Sequence, residues 1–489
     1  MNRTTLSLFA GVAALAAVTG FAVVSSPDAT GAGAARSAAE LPVERTSLLC
    51  PAPSTSDLAE TTYTSFTPVT KGAGSGGKAG LVPAGPAAEK DGEPVVEPAA
   101  PGTPATGDRS GGDTPALVGT AEGGAAPGWT VQETTEVAAG AGRGLLGVAC
   151  TAPDTEFWFP GASTAAGRTD YVHLTNPDDS AAVVDVELYG KDGALKSTAG
   201  EGVTVKPHTT EALLLSTLGG TEEDDLTVHV TVRSGRVGAA VQALDDKAGG
   251  DWLAASADPA GSLVLPGIPE DALAVRLVLF TPGDTDADLK VRLASPSGAI
   301  TPAGHETVHV KAGMTTAVDL ADVTRGDAGS LLLTPTGRSV PVVAALRVVR
   351  GKDTDQETAF IPATAPVGTR ATAAGNRTAK DTTLSLTAPR GAARVKVTAS
   401  AGSEGGTAVT KTYTLKAGTT QAVEAPVPAG LKGLYALTVE PVSGGPVYAA
   451  RTLRATKDGV PAFTVQALPD DRGTVAVPEA EEDLSVVQE

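Results

Sequence analysis

The sequence predicts an all-β protein, an N-terminal apolar helix followed by tandem β-sandwich modules. Three observations carry that expectation. One stretch is written three times, as VTVKPHTTEALLL from Val203 to Leu215, VHVKAGMTTAVDL from Val308 to Leu320 and YTLKAGTTQAVEA from Tyr413 to Ala425. Its lysines Lys206, Lys311 and Lys416 are evenly spaced, 311 − 206 = 416 − 311 = 105, and a fixed step of that size marks tandem copies of one domain. Each copy alternates β-branched residues, turns at a Pro/Ala–His/Gly pair and resumes as a second apolar strand. Finally, Ala, Val, Thr, Gly and Pro dominate while aromatics make up only 3%, a composition of short strands and frequent turns.

At 489 residues the chain exceeds one core and accommodates three or four domains of ~100–150 residues. A net charge of −19 argues against nucleic acid, which needs a basic footprint, and against a loose hold on anionic lipid or polymer. Two cysteines and five histidines leave little material for a metal site, and no cofactor is expected.

The first segment, residues 1–40, is an export element with a short linker. Arg3 precedes an uncharged run from Leu6 to Val24, 24 − 6 + 1 = 19 residues. At ~1.5 Å per residue that run just spans a ~30 Å hydrocarbon core. It reads either as a retained single-pass anchor or as a signal peptide cut near Ala32-Gly33-Ala34, and both readings place the body outside the membrane. The N-terminal segment is thus in the membrane at least transiently. Cys50 is not a lipid acceptor, because Ser47-Leu48-Leu49 lacks the small residues such a site needs.

Residues 41–155 read as a degenerate first module. TSLLCP and TTYTSFTPV form strands, residues 71–114 collapse into Gly/Pro/Ser-rich linker composition expected to be disordered, and structure resumes towards GLLGVAC at Gly144–Cys150. Three clearer modules follow at 156–260, 261–359 and 360–469. In the first two of these, Leu174 and Leu279, Pro177 and Pro282, Val186 and Val291 all keep the 105-residue step; the last follows with a slip of one or two residues. Module openings share an apolar-Pro pair at Cys50-Pro51, Phe159-Pro160, Leu265-Pro266 and Ile361-Pro362. About seven short strands per module suit an immunoglobulin-like sandwich of ~100 residues. A double propeller blade has similar length, but no half-repeat is visible within one copy. Phe463–Pro469 reads as one more opening strand, and 470–489 as an acidic tail.

The apolar leader, CPAP, WFPG, LTNP and the closing TVQALPDDRGTVAVP together resemble a family of exported proteins of high-GC Gram-positive bacteria, known only as a domain of unknown function. That resemblance spans nearly the whole chain and implies a cell-envelope setting close to a membrane glycosyltransferase. The NP turn, VxVKAGxT and LYALTVEPVSG are also similar to bacterial immunoglobulin-like surface modules.

Cys50 and Cys150 flank the insertion on the first and last strands of module one, and in an exported chain they are expected to pair. Trp158 and Trp252 sit at module openings and ends, where ring packing between modules or stacking on a ligand would use them. Trp129 is the third such ring. Asp284, Asp286 and Asp288, and the Glu222–Asp225 run, read as solvated loops, with calcium or a glycosidase carboxylate pair as alternatives. The histidines fall on strands or turns and read as satisfied structural residues. The lysines of the repeat read as guards against edge pairing. No catalytic residue is assigned.

The expected function is a non-catalytic extracytoplasmic scaffold or binding spacer, either anchored by its N-terminal helix or secreted. Its expected partner is an envelope protein or glycan. An envelope polysaccharide-active enzyme and a secreted adhesin are the alternatives.

Overall fold

Alternation of apolar and polar residues builds the strands. In Ala182–Gly190, Val184, Val186 and Leu188 point inward while Glu187 is exposed, so one face of the strand is committed to a core. The thrice-written stretch turns because the second residue after its lysine takes a left-handed backbone: φ is 54° at His208, 68° at Gly313 and 70° at Gly418. A turn of this kind wants positive φ at that position, which Gly takes freely and His only under constraint. The lysine carbonyl closes it, accepting from Thr209 N at 3.2 Å in one copy and from Met314 N at 3.2 Å in the next.

The protein was examined as a computed structural model that describes residues 39–74, 76–85, 93–97, 100–196, 199–457 and 459–477. The fold is all-β, built of antiparallel sheets, with an α-helical turn at Leu215–Leu218 and a 3-10 turn at Asp353–Asp355 among the described residues. The expected N-terminal helix and most of the acidic tail lie outside the described residues. Among those described, no helix is long and apolar enough to cross a membrane. Pro42–Thr474 form one unit; of the other, Met1–Leu41 with Val475–Glu489, the described part is a two-stranded sheet of Ala39–Pro42 and Thr474–Val477.

The second module shows the plan of all four. One sheet runs Glu156–Ala162, Leu226–Ser234, Ala182–Gly190 and Gly193–Ala194, with Val203–Val205 also beside Ala182–Gly190. The facing sheet runs Thr210–Leu214, Arg168–Thr175, Gly238–Asp245 and Gly249–Leu253. Phe159, Leu174, Val186, Val228 and Val241 fill the space between them. Apart from the hairpins Ala182–Gly190 with Gly193–Ala194 and Gly238–Asp245 with Gly249–Leu253, neighbouring strands are not sequential, which is the order of a sandwich and not of an up-and-down blade. The first, third and fourth modules repeat the order and end on closing strands Gly144–Ala149, Glu357–Pro362 and Val460–Ala467.

The four modules close into a ring. The opening strand of each packs on the second sheet of the next: Arg45–Cys50 on Gly238–Asp245, Glu156–Ala162 on Val343–Arg350, Leu263–Ile268 on Tyr448–Lys457, and Ala371–Asn376 back on Thr130–Val137. The four closing strands meet one another around the centre. Asp251 sits fully buried among them and accepts from Gly147 N at 3.0 Å, from Thr464 Oγ1 at 3.0 Å and from the backbone of Phe360. It thereby joins one residue from each of the other three modules. Burial pushes its carboxyl well above the usual range, and the donors around it pull the other way. Across the last junction, Arg370 pairs with Asp471 and donates to Thr70 Oγ1 at 3.0 Å, while Phe66 packs on Ala374 and Ala436.

Three expectations change. The segment 71–114 holds two strands, Gly77–Pro83 and Ala105–Ser110, and buries Leu81, Val95 and Val96. Its glycines reflect close approach: a Cβ on Gly77 would collide with the Glu122 carbonyl of the paired strand. Ile361 and Pro362 end the third module instead of opening the fourth, which begins at Ala371–Asn376. Phe463 likewise belongs to the closing strand of the fourth module. Closing strands mimic openings because they are covered on both faces; all six residues of Glu357–Pro362 are buried, so they read as continuous apolar runs.

Candidate functional site

Equivalent positions at the four junctions can be compared directly, because the same strands meet there. In every module, a residue at the end of the second strand faces the first residue of the penultimate strand. They are Phe66 and Thr130, Thr175 and Gly238, Phe280 and Val343, Thr387 and Tyr448. Between the second and third modules Phe280 fills the junction, its ring 5.4 Å from Trp158 and 4.6 Å from Tyr189. Trp158 in turn stacks on His229 at 3.6 Å. Between the first and second modules the same places carry Thr175 and, opposite it, Leu49 for Trp158. Two rings are replaced by two smaller side chains, and a small open cleft results.

Leu49, Pro51, Val148, Thr151 and Thr175 line this cleft, together with His173. The imidazole is 6% exposed, and neither ring nitrogen has a hydrogen-bond partner among the described residues. Burial alone pushes its pKa down to about 4, so it is neutral at physiological pH, with one N–H to give and one lone pair to receive. Its ring meets the edge of Trp252 at 5.2 Å. A mostly apolar concavity with a few convergent polar groups is the usual form of a ligand site. The innermost part has room for a single water.

The Cys50–Cys150 disulfide is formed, with the Cα atoms 4.4 Å apart, and the chain on both sides of it walls the cleft through Leu49, Pro51, Ala149 and Thr151. Trp158 and Trp252 lie at separate junctions. Trp252 packs on Val137, Leu146 and Val148 of the first module beside the cleft, and Trp158 fills the next junction. Trp129 belongs to the first module's own core, where Nε1 donates to Ser65 Oγ at 2.8 Å. Some members of the acidic runs have local partners: His309 meets Asp288 at 2.9 Å and Asp286 at 3.5 Å, and Arg276 holds Asp225 at 2.6 Å. No group of three or more metal-ligating side chains occurs among the described residues. Glu133 and Tyr63, directly opposite each other in the first module, are buried with no partner for the carboxylate or the hydroxyl among the described residues. Burial raises both pKa values, and neither residue lines the cleft at Thr175.

The histidine expectation is corrected. His208 pairs with Asp179 at 2.8 Å, and His229 lies between Glu156 and Glu187, but His173 is unsatisfied. The signal for it was the 105-residue step, which sets His173 against Val278 and Thr175 against Phe280.

The fold and this cleft define an all-β protein of repeated modules with one junction left open. The chain belongs to a family of unknown function, DUF5719, whose model matches residues 105–426. No curated protein matches. Among solved structures, the pilus adhesin SpaC from Lactobacillus rhamnosus GG in its open conformation is 11% identical, with 87% of this chain and 57% of that chain covered. The TM-score is 0.10, too low to carry an argument about fold or function, and this chain spans little more than half of that protein's length.

Proposed function

We propose that the protein is a non-catalytic binding scaffold of the cell envelope, working outside the cytoplasmic membrane, anchored or released according to the fate of its leader. Its modules are read as immunoglobulin-like sandwiches arranged for recognition. The unfilled junction carries the proposal: three equivalent junctions are packed by the chain's own rings, and the fourth offers a cleft with an unpartnered imidazole. A disulfide supports an oxidising compartment. Ring closure supports a platform over a spacer. Val43 N donates to Gly473 O at 3.1 Å, so the two ends of the ring meet, whereas a spacer holds its ends apart.

The test places a photo-crosslinking residue at Thr151, an exposed residue of the cleft's wall, on living cells, with a control at exposed Lys311. An envelope protein or glycan captured from Thr151, and lost when Leu49→Trp fills the cleft, is expected. Equal capture from both positions would overturn the reading, as would capture that survives the filling substitution.

A further inference from the structure

The repeat shows what shape the open junction lacks. Phe66 packs on Ala374 and Ala436, Phe280 on Trp158, and Tyr448 against Val264 and Leu332. Each is an aromatic ring on the second or penultimate strand, laid against the preceding module in the ring. At the remaining junction that pair of positions is Thr175 and Gly238. Leu49 leans over Gly238 so closely that a Cβ there would lie 2.7 Å from Leu49 Cδ1, so module two can supply no side chain from that strand. A ring at this junction has to come from outside.

The wall chemistry narrows the ring further. No charged side chain lines the cleft, so neither an ammonium nor a carboxylate would find a partner. The unsatisfied polar groups are the two nitrogens of His173, which stands where the third module has Val278. A hydroxyl completes the vacant nitrogen of a neutral imidazole, whereas a plain hydrocarbon ring leaves it bare.

We propose that the cleft binds a hydroxyphenyl ring, which takes the place of the missing internal aromatic and hydrogen-bonds through its hydroxyl to His173. This rests on the reading of the cleft as the recognition surface. Two sources share the chemistry: a tyrosine side chain of a partner protein, and a free phenolic molecule.

The experiment uses the full chain and four probes, namely p-cresol, toluene, and capped tripeptides Ala-Tyr-Ala and Ala-Phe-Ala. Binding is followed by the ring-nitrogen resonances of His173, assigned by their loss in His173→Leu. Expected are saturable binding of p-cresol with a shift of those resonances, toluene weaker by about tenfold, and loss of both on Thr175→Phe. Should Thr175→Phe not fold, Leu49→Trp closes the cleft from the other wall. A tyrosine peptide binding more tightly than p-cresol assigns the ring to a partner protein, and the reverse assigns it to a small molecule. Equal affinity for p-cresol and toluene overturns the hydroxyl recognition, and no saturable binding by any probe overturns the site. If the probes fail while crosslinking from Thr151 still captures a partner, the ring assignment falls and the scaffold reading stands. If both fail, neither survives.

Discussion

The junction between the second and third modules and the one between the first and second use the same strands for different ends. The former closes on a layer of rings, Trp158, Phe280 and Tyr189. The latter substitutes Leu49 and Thr175 and admits an imidazole, with the Cys50–Cys150 bond lying wholly within its module-one wall. Trp252 still packs on Val137, Leu146 and Val148 beside it, so burial is kept at one side of the junction and given up at the other. A repeat protein can therefore open a site at one junction without altering its fold.

The largest expected effect tests the packed side. Phe280→Ala should cost about 4 kcal/mol in denaturant unfolding, from lost burial and the cavity left behind, while Thr175→Ala should cost less than about 1. Equal costs at the two positions would break the comparison. Next, replacing Cys50 and Cys150 together by Ser should lower stability by about 3.5 kcal/mol, since the bond closes a loop of 100 residues. A loss below about 1 kcal/mol would mean that the first module, and with it the cleft's wall, is held by packing without the bond.

The third prediction concerns pH. His173 titrates near 4 in the folded protein against 6.5 when free, so the unfolded chain binds more protons between those values. Stability from this residue is then complete above pH 6.5 and falls as pH drops towards 4, by at most about 3 kcal/mol. His173→Leu should remove that fall, seen as the difference between the two proteins' stability–pH curves. The smallest effect sharpens the comparison in reverse. Thr175→Phe should add about 1 kcal/mol by restoring the ring that the third module carries, with repacking strain offsetting part of the burial. A destabilised Thr175→Phe protein would show that the cleft is not ring-shaped.

Much of this was legible in the chain because repeats expose their own exceptions. The 105-residue step located equivalent turns, and the pairing of Cys50 with Cys150 followed from their placement around an insertion. Trp158 and Trp252 were placed at junctions by position alone. Ring closure was not legible, since it depends on Arg370, Phe66 and Asp251, whose partners lie in other modules and repeat nowhere. The strands within 71–114 were hidden because each contributes only one or two apolar anchors and borrows the rest of its stability from neighbouring strands. Closing strands passed for opening ones because burial on both faces erases the alternation that separates them.

The meeting of Val43 with Gly473 also governs how the unit bears load. Tension applied at those two points crosses one hydrogen bond and its immediate neighbours instead of travelling through four cores in series. The modules are mechanically bypassed. In a chain of beads, a pull would extend and eventually unravel the weakest bead; here it meets a clasp first, and the junction geometry, including the cleft beside Thr175, persists for as long as that clasp holds.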